Sequence, residues 1–322
     1  MGARTNAATR WSALLIAGVA AVGLVGCSSG EGDAKGNRTI DAQGTQVSIP
    51  DHPERIVATF NGVTQALIEA GGADRIVAAQ ELPIASVPPA NRAGYEKIGK
   101  KIEMTASAES LTSLNPDLFA SVNDDEVPNA DYKKIAPVVI FQTFGKQRFD
   151  WQARSVVAGE ILGTQDKVKE LSEALAKRQA DIKTKYADVL AKNTFTYLDS
   201  IEQGNLYAVG AKAMLGQLLT PAGIRFAPSV SGPGPKTDTN PGEFQAPLDQ
   251  LGTYLDSNII LTGSNFDGVQ TQLQQDLLKN PLIADSGKII QPIGLVQISS
   301  YAQANYILDR VEKALQAAKD KK

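Results

Sequence analysis

The chain has 322 residues, 43% hydrophobic, 6% aromatic and 21% charged, with a formal charge of −3. Such composition can bury a core, predicts two compact lobes at roughly 100–200 residues per domain, and excludes a wholly disordered or fibrous chain. The near balance of charge gives no electrostatic footprint for nucleic acid, while one cysteine and one histidine exclude a disulfide framework, a thiolate-rich zinc site and most triad chemistry.

Arg4 and Arg10 precede an uncharged run from Trp11 to Gly26 that ends in Leu24-Val25-Gly26-Cys27. A basic segment followed by an apolar stretch of about 7–15 residues is the secretory-signal pattern, and it is short for a membrane span. The Leu-x-Gly-Cys ending resembles the lipobox of bacterial lipoproteins. That resemblance implies a signal peptide over 1–26, diacylation of Cys27, and a protein held to the lipid bilayer on the outer face of the cytoplasmic membrane. Residues 27–38, small and polar around Ser28-Ser29-Gly30-Glu31, read as a flexible tether.

Next comes a predicted hairpin, Thr39 to Ile49, turning around Asp41-Ala42-Gln43-Gly44. Arg55–Phe60 reads as a buried strand, Gly62–Ala70 as a helix closed by Gly71-Gly72, and Arg75–Ala79 as a second strand. Pro83 to Lys101 reads as irregular. Helix Ala106–Leu114, strand Asp117–Val122, helix Asn129–Ile135 and strand Val138–Phe141 complete a first lobe over 39–148. From 149 to 190 the pattern is helical, broken near Gly163-Thr164. Strands Thr194–Leu198 and Leu206–Val209, helix Ala211–Leu219, a Pro/Gly/Ser-rich loop over 227–242, helix Ala246–Tyr254, strand Asn258–Thr262, helix Gly268–Leu278, strand Lys288–Pro292 and helix Tyr301–Ala318 fill 191–322. Alternating strands and helices imply α/β lobes with parallel sheets. An internal echo supports two related halves: Glu109-Ser110-Leu111…Leu114…Pro116-Asp117-Leu118-Phe119 is matched by Asp249-Gln250-Leu251…Tyr254…Asp256-Ser257-Asn258-Ile259, the acid standing seven residues before Pro116 and before Asp256.

Pro53-Glu54-Arg55-Ile56-Val57-Ala58, Leu67…Gly71…Asp74-Arg75-Ile76-Val77, Glu109…Leu114-Asn115-Pro116-Asp117-Leu118 and Asn280-Pro281-Leu282 together resemble the helical-backbone class of ABC-transporter substrate-binding proteins. These carry ferric siderophores, haem and cobalamin. The resemblance implies two Rossmann-like lobes joined by a long helical connector, here 149–190, with a ligand cleft between the lobes and only a small rocking closure. It further implies a binding protein and not an enzyme, delivering a ferric siderophore or similar bulky chelate to ABC permease subunits. No cofactor is expected, iron entering only within the bound complex, and no nucleic acid partner. A haem or cobalamin receptor of the same class, and a lipid-anchored α/β enzyme, are the alternatives.

Ligands of open parallel sheets sit beyond the carboxyl ends of strands. The residues there are Phe60 and Asn61, then Arg92 and Tyr95, then Asn123, and the cluster Lys146, Arg148 and Trp151. The second half contributes Tyr207, Arg225, Phe266 and Gln297. Guanidinium and ammonium groups suit anionic oxygens and aromatic faces suit flat rings, so the cluster favours a bulky, often anionic chelate. By the resemblance, Glu109 and Asp249 are acids that pair with permease arginines. Asp249 is one methylene short of the family's acid, and Glu243 is its rival for that role. Arg55 and Arg75 read as structural, and His52, alone in a surface turn, as no metal ligand. Asp199-Ser200 lies near no histidine in sequence, and Gly232-Pro233-Gly234-Pro235 places proline where a phosphate cradle needs N–H donors.

Overall fold

A computed structural model describes residues 36–235 and 240–321. The signal segment and Cys27 lie outside the described residues. A hairpin of β1 (Asn37–Ala42) and β2 (Thr45–Pro50) comes first, antiparallel with Asn37 opposite Pro50. Gln43 and Gly44 both take positive φ, 53° and 91°, and Asp41 Oδ1 accepts the Gly44 N–H at 2.6 Å. This is the tight turn that matches strand twist.

The first sheet holds β3 (Ile56–Ala58), β4 (Ile76–Gln80), β5 (Lys100–Ile102), β6 (Leu118–Val122) and β7 (Val138–Phe141), all parallel, in the order β5-β4-β3-β6-β7. Every residue of β3 and β6 is buried, as strands covered on both faces must be. The accompanying helices are α1 (Asn61–Glu69), α2 (Pro89–Glu96), α3 (Ala108–Thr112) and α4 (Asn129–Tyr132). The stretch expected to be irregular thus contains α2 and β5. Pro89 sits in the first helical turn, where its missing N–H forfeits no bond, so the proline pair starts a helix and does not block one.

The connector is three helices: α5 (Trp151–Leu162), α6 (Gln165–Lys185) and α7 (Ala187–Lys192). Asp150 accepts the Ala153 N–H to cap α5, and Gly163, in the left-handed region at φ 69°, ends it. In α6 only Val168, Leu175 and Ile182 are buried, one residue in seven, so a narrow seam packs inward and the rest faces water. Among the described residues no helix is long and apolar enough to cross a membrane.

The second sheet joins β8 (Phe195–Asp199), β9 (Asn205–Val209), β10 (Glu243–Pro247), β11 (Ile259–Thr262) and β12 (Ile289–Pro292) in the order β10-β9-β8-β11-β12. It is mixed, where two wholly parallel sheets were expected: β8, β11 and β12 run parallel, but β9 is antiparallel to both β8 and β10. The link over 200–204 is too short for a crossover helix and turns back as a hairpin. The helix expected over 246–254 is instead the edge strand β10 followed by a 3-10 turn, Leu248–Tyr254, with Pro247 at the junction. Helices α8 (Met214–Leu219), α9 (Gln272–Lys279), α10 (Pro281–Ala284) and α11 (Tyr301–Asp320) complete the lobe. On α11, Ile307, Val311 and Leu315 are fully buried, as their spacing predicts.

The repeat has a physical role at the amino ends of the two central strands. Asp117 accepts the backbone N–H groups of Glu54 and Arg55 at 2.8 and 2.9 Å, and the Arg55 guanidinium donates to the Leu114 and Asn115 carbonyls. At the equivalent place Asn258 Oδ1 accepts the Thr194 N–H at 3.0 Å. Each side chain fastens the lead-in of a core strand.

Candidate functional site

Parallel strands send their carboxyl ends and following loops to one edge of each sheet. Here those edges meet. The Phe266 N–H, after β11, donates to the Ala85 carbonyl, after β4, at 2.9 Å, and Arg92 of α2 pairs with Asp267 at 2.7 Å. On another flank Arg148, in the 3-10 turn Lys146–Phe149 after β7, pairs with Glu243 of β10 at 2.5 Å. Arg154 of α5 donates to the carbonyls of Arg148 and Ile298 at 2.9 and 3.1 Å. Burial brings its guanidinium down to about 10, still protonated at neutral pH. Glu69, ending α1, accepts the N–H groups of Tyr301 and Ala302 at 2.8 and 2.7 Å, and so caps α11 of the other lobe.

Large apolar side chains stand exposed on the same edges: Ile84 after β4, Phe144 after β7, Ile201 after β8 and Leu295 after β12. The Phe60 and Phe144 rings lie 5.9 Å apart. Singly, exposed apolar residues are ordinary; distributed over the strand-end loops of both lobes, they offer greasy contact to something bulky between them. Beside them Asp199, at the end of β8, is buried and accepts the Tyr197 hydroxyl at 2.6 Å, the Ser200 N–H at 2.7 Å and Gln274 Nε2 at 3.2 Å. The Tyr207 hydroxyl is pushed well up, first by burial and then by the negative charge of Glu243. Ser200 donates its hydroxyl to the Asn205 carbonyl at 3.1 Å, so it is not aimed at a base.

The expected site residues divide. Phe60, Asn61, Asn123, Lys146, Arg148 and Tyr207 belong to the strand-end loops or the cluster beside them, and exposed Gln297 lies on the loop leading to α11. Asn61 accepts from Gln65, and Asn123 fixes the Phe144 loop by accepting the N–H groups of Thr143 and Phe144 at 2.8 and 3.1 Å. Others hold the fold. Arg92 is committed to Asp267 and the Val87 carbonyl. Tyr95 is buried, its hydroxyl donating to the Gln80 carbonyl and accepting the Leu82 N–H, both at 2.9 Å. Trp151 is buried edge-on to Tyr301 at 4.9 Å, and Phe266 is buried against Tyr306.

Arg225 is not brought to the cleft. Its backbone carbonyl accepts the Phe195 N–H at the opposite end of β8, and its guanidinium donates to the carbonyls of Leu190 and Ala191 at the end of α7. Glu109 and Asp249 are exposed, on α3 and on the 3-10 turn before β11. Glu243 is 8% exposed and paired with Arg148, so an outward docking role for it is corrected. Sequence reasoning missed Ile84, Ile201 and Leu295, and the cross-lobe partners Glu243 and Asp267. A usable signal was present for the first three: large apolar residues within four positions after a strand.

Residues 56–287 match the family model described as periplasmic binding protein. The Bacillus subtilis (strain 168) protein YhfQ, which is named as an ABC transporter substrate-binding lipoprotein, is 25% identical over 291 residues, covering 85% of this chain and 87% of YhfQ. The iron(3+)-hydroxamate-binding protein FhuD of the same organism is 24% identical over 312 residues, covering 93% of this chain and 95% of FhuD. Among solved structures, the siderophore periplasmic binding protein from the fuscachelin gene cluster of Thermobifida fusca superposes with a TM-score of 0.67 at 21% identity. That match covers 83% of this chain and 98% of the other.

Proposed function

Since this chain belongs to the periplasmic binding protein family, we propose that it is the lipid-anchored, extracytoplasmic receptor of an ABC importer and that it captures a ferric siderophore between its lobes. The observation that carries the reading is the meeting of strand-end loops from both lobes, with Phe60, Phe144, Ile84, Ile201 and Leu295 on them. A ferric siderophore is a bulky chelate whose organic shell presents apolar surface, and such a rim removes that surface from water. The names of the relatives, one for a ferric hydroxamate and one for a siderophore, support the same cargo. Binding leaves the cargo unaltered. The hinge elements Glu69 and Arg154, fixed to the opposite lobe, suit a small rocking movement. Cys27 carries the anchor, and the exposed acids Glu109 and Asp249 meet arginines of the permease.

After signal removal Trp151 is the only tryptophan. Its fluorescence, titrated with ferric hydroxamates, ferric catecholates, haemin and cobalamin, should be quenched saturably by a ferric siderophore. Flat titrations with every ferric siderophore, confirmed by calorimetry, refute the reading; saturation by haemin or cobalamin alone moves the protein to the sister cargo.

A further inference from the structure

We infer that Glu243 sets the charge of the accepted cargo, by neutralising Arg148 so that the cleft takes cationic or neutral ferric chelates and rejects polyanionic ones. The inference rests on the siderophore reading and deepens it. Two guanidinium groups at this edge, Arg92 on α2 and Arg148 after β7, both pair with carboxylates of the opposite lobe: Arg92 with Asp267 at 2.7 Å and Arg148 with Glu243 at 2.5 Å. The pairs differ in burial. Asp267 is 45% exposed and can yield to solvent or ligand, whereas Glu243 is 9% exposed.

An anionic oxygen that displaces Glu243 from Arg148 leaves that carboxylate behind, buried and without its cation, and one that takes the unpartnered Arg148 Nε sits beside the carboxylate and a charge already balanced. Losing one partner of a buried pair is far costlier than losing a surface contact. A neutral chelate needs no such exchange. A pendant ammonium gains besides: the loops after β4, β6 and β8 carry Glu81, Asp124, Asp125, Glu126 and Glu202, and buried Asp199 lies at the end of β8. The expectation from sequence that Arg148 and Arg225 would favour an anionic cargo counted those two cations without the groups they are bonded to.

The test compares three probes: a ferric trishydroxamate bearing one ammonium group (ferrioxamine B), a neutral one (ferrichrome) and a trianionic ferric tris-catecholate. Affinities are measured by Trp151 quenching and calorimetry for the wild type, Glu243→Gln, and the double variant Glu243→Gln/Arg148→Gln. The wild type should bind the cationic and neutral probes about 10-fold or more tighter than the trianion. Glu243→Gln keeps the acceptor oxygen but frees the charge of Arg148, and should shift the anion-to-cation affinity ratio by about 10-fold toward the anion. The double variant, an uncharged pair of similar shape, should lose that shift and also covers the case of a Glu243→Gln chain that folds poorly. A wild type that prefers the trianion, a ratio that is the same in the wild type and in Glu243→Gln, or a double variant that keeps the shift, overturns the role of Glu243 while leaving a siderophore receptor standing. A folded wild type that binds none of the probes overturns both.

Discussion

Replacing Glu69 tests whether the lobes are locked by a carboxylate that one lends to a helix of the other. Its oxygens accept two backbone N–H groups, from Tyr301 at 2.8 Å and Ala302 at 2.7 Å, and the Asn91 amide at 3.1 Å. Hydrogen bonds to a charged partner contribute about 1.5–3 kcal/mol each, so losing the two backbone bonds alone forfeits about 3–6 kcal/mol in gross interaction. Two effects offset this. Burial raises the carboxyl above its ordinary value near 4.5, which means part of the interaction is consumed by desolvation. A cavity of about 400 Å³ beside Glu69, Asn91, Tyr301 and Ala302 also lets water reach the freed N–H groups. The net cost of Glu69→Ala should therefore be about 2 kcal/mol, read from urea unfolding at neutral pH. Hydrogen exchange supplies the local readout: the amides of Tyr301 and Ala302 should lose protection first. A destabilisation below about 0.5 kcal/mol, with those two amides as protected as in the wild type, would refute the reasoning.

The same carboxyl makes a pH prediction: because folding raises its affinity for a proton, its contribution is greatest in acid and falls as pH climbs from 4.5 through the raised folded value. The stability of the wild type relative to Glu69→Gln should shrink over that window, and a gap that widens instead contradicts it. Gly263→Ala should cost about 2–4 kcal/mol, since its Cβ would lie 2.1 Å from Asp199 Oδ2 and 2.4 Å from Gln274 Nε2, two groups that bond each other inside the lobe. An unchanged thermal midpoint would mean that the Asp199 cluster is loosely held. Arg225→Ala should lower the midpoint, because the carbonyls ending α7 lose their donor, yet leave chelate affinity alone; a weakened Kd would return Arg225 to the cleft. Glu109→Arg should abolish uptake in cells while solution binding persists, and normal uptake would remove Glu109 from docking.

Much of the fold was legible because it is written in buried periodicity. The strands at 56–58 and 138–141 are continuous apolar runs, 118–122 is interrupted only by Ser121, and α11 repeats its stripe over three turns. Where the pattern misled, a local cue was outvoted by its setting. Pro89 signalled a break and served as a first helical turn; Ala246–Tyr254 had helical spacing, yet its first residues complete a sheet edge against β9. Even the hairpin that makes the second sheet mixed was spelled out by the short 200–204 link, which alternation with helices overshadowed.

The site was legible in place but not in pairing, and the reason is physical. Topology puts residues after a strand at the cleft edge, so Phe60, Asn123 and Arg148 could be located from strand positions alone. Which carboxylate meets which guanidinium depends on contacts between residues 95 and 175 positions apart, as Arg148–Glu243 and Arg92–Asp267 show, and no local pattern encodes them. The motif that most strongly marked the family, Glu-x-Leu…Leu-x-Pro-Asp-Leu, fastens strand ends through Asp117, which meets the Pro-Glu-Arg-Ile segment and its Arg55 away from the cleft edge. Family membership is thus carried by residues that build the lobes, whereas cargo preference falls to strand-end loops and to the charge balance across them. A relative with the same scaffold but glutamine at the position of Glu243 should accordingly accept anionic chelates more readily than this chain does.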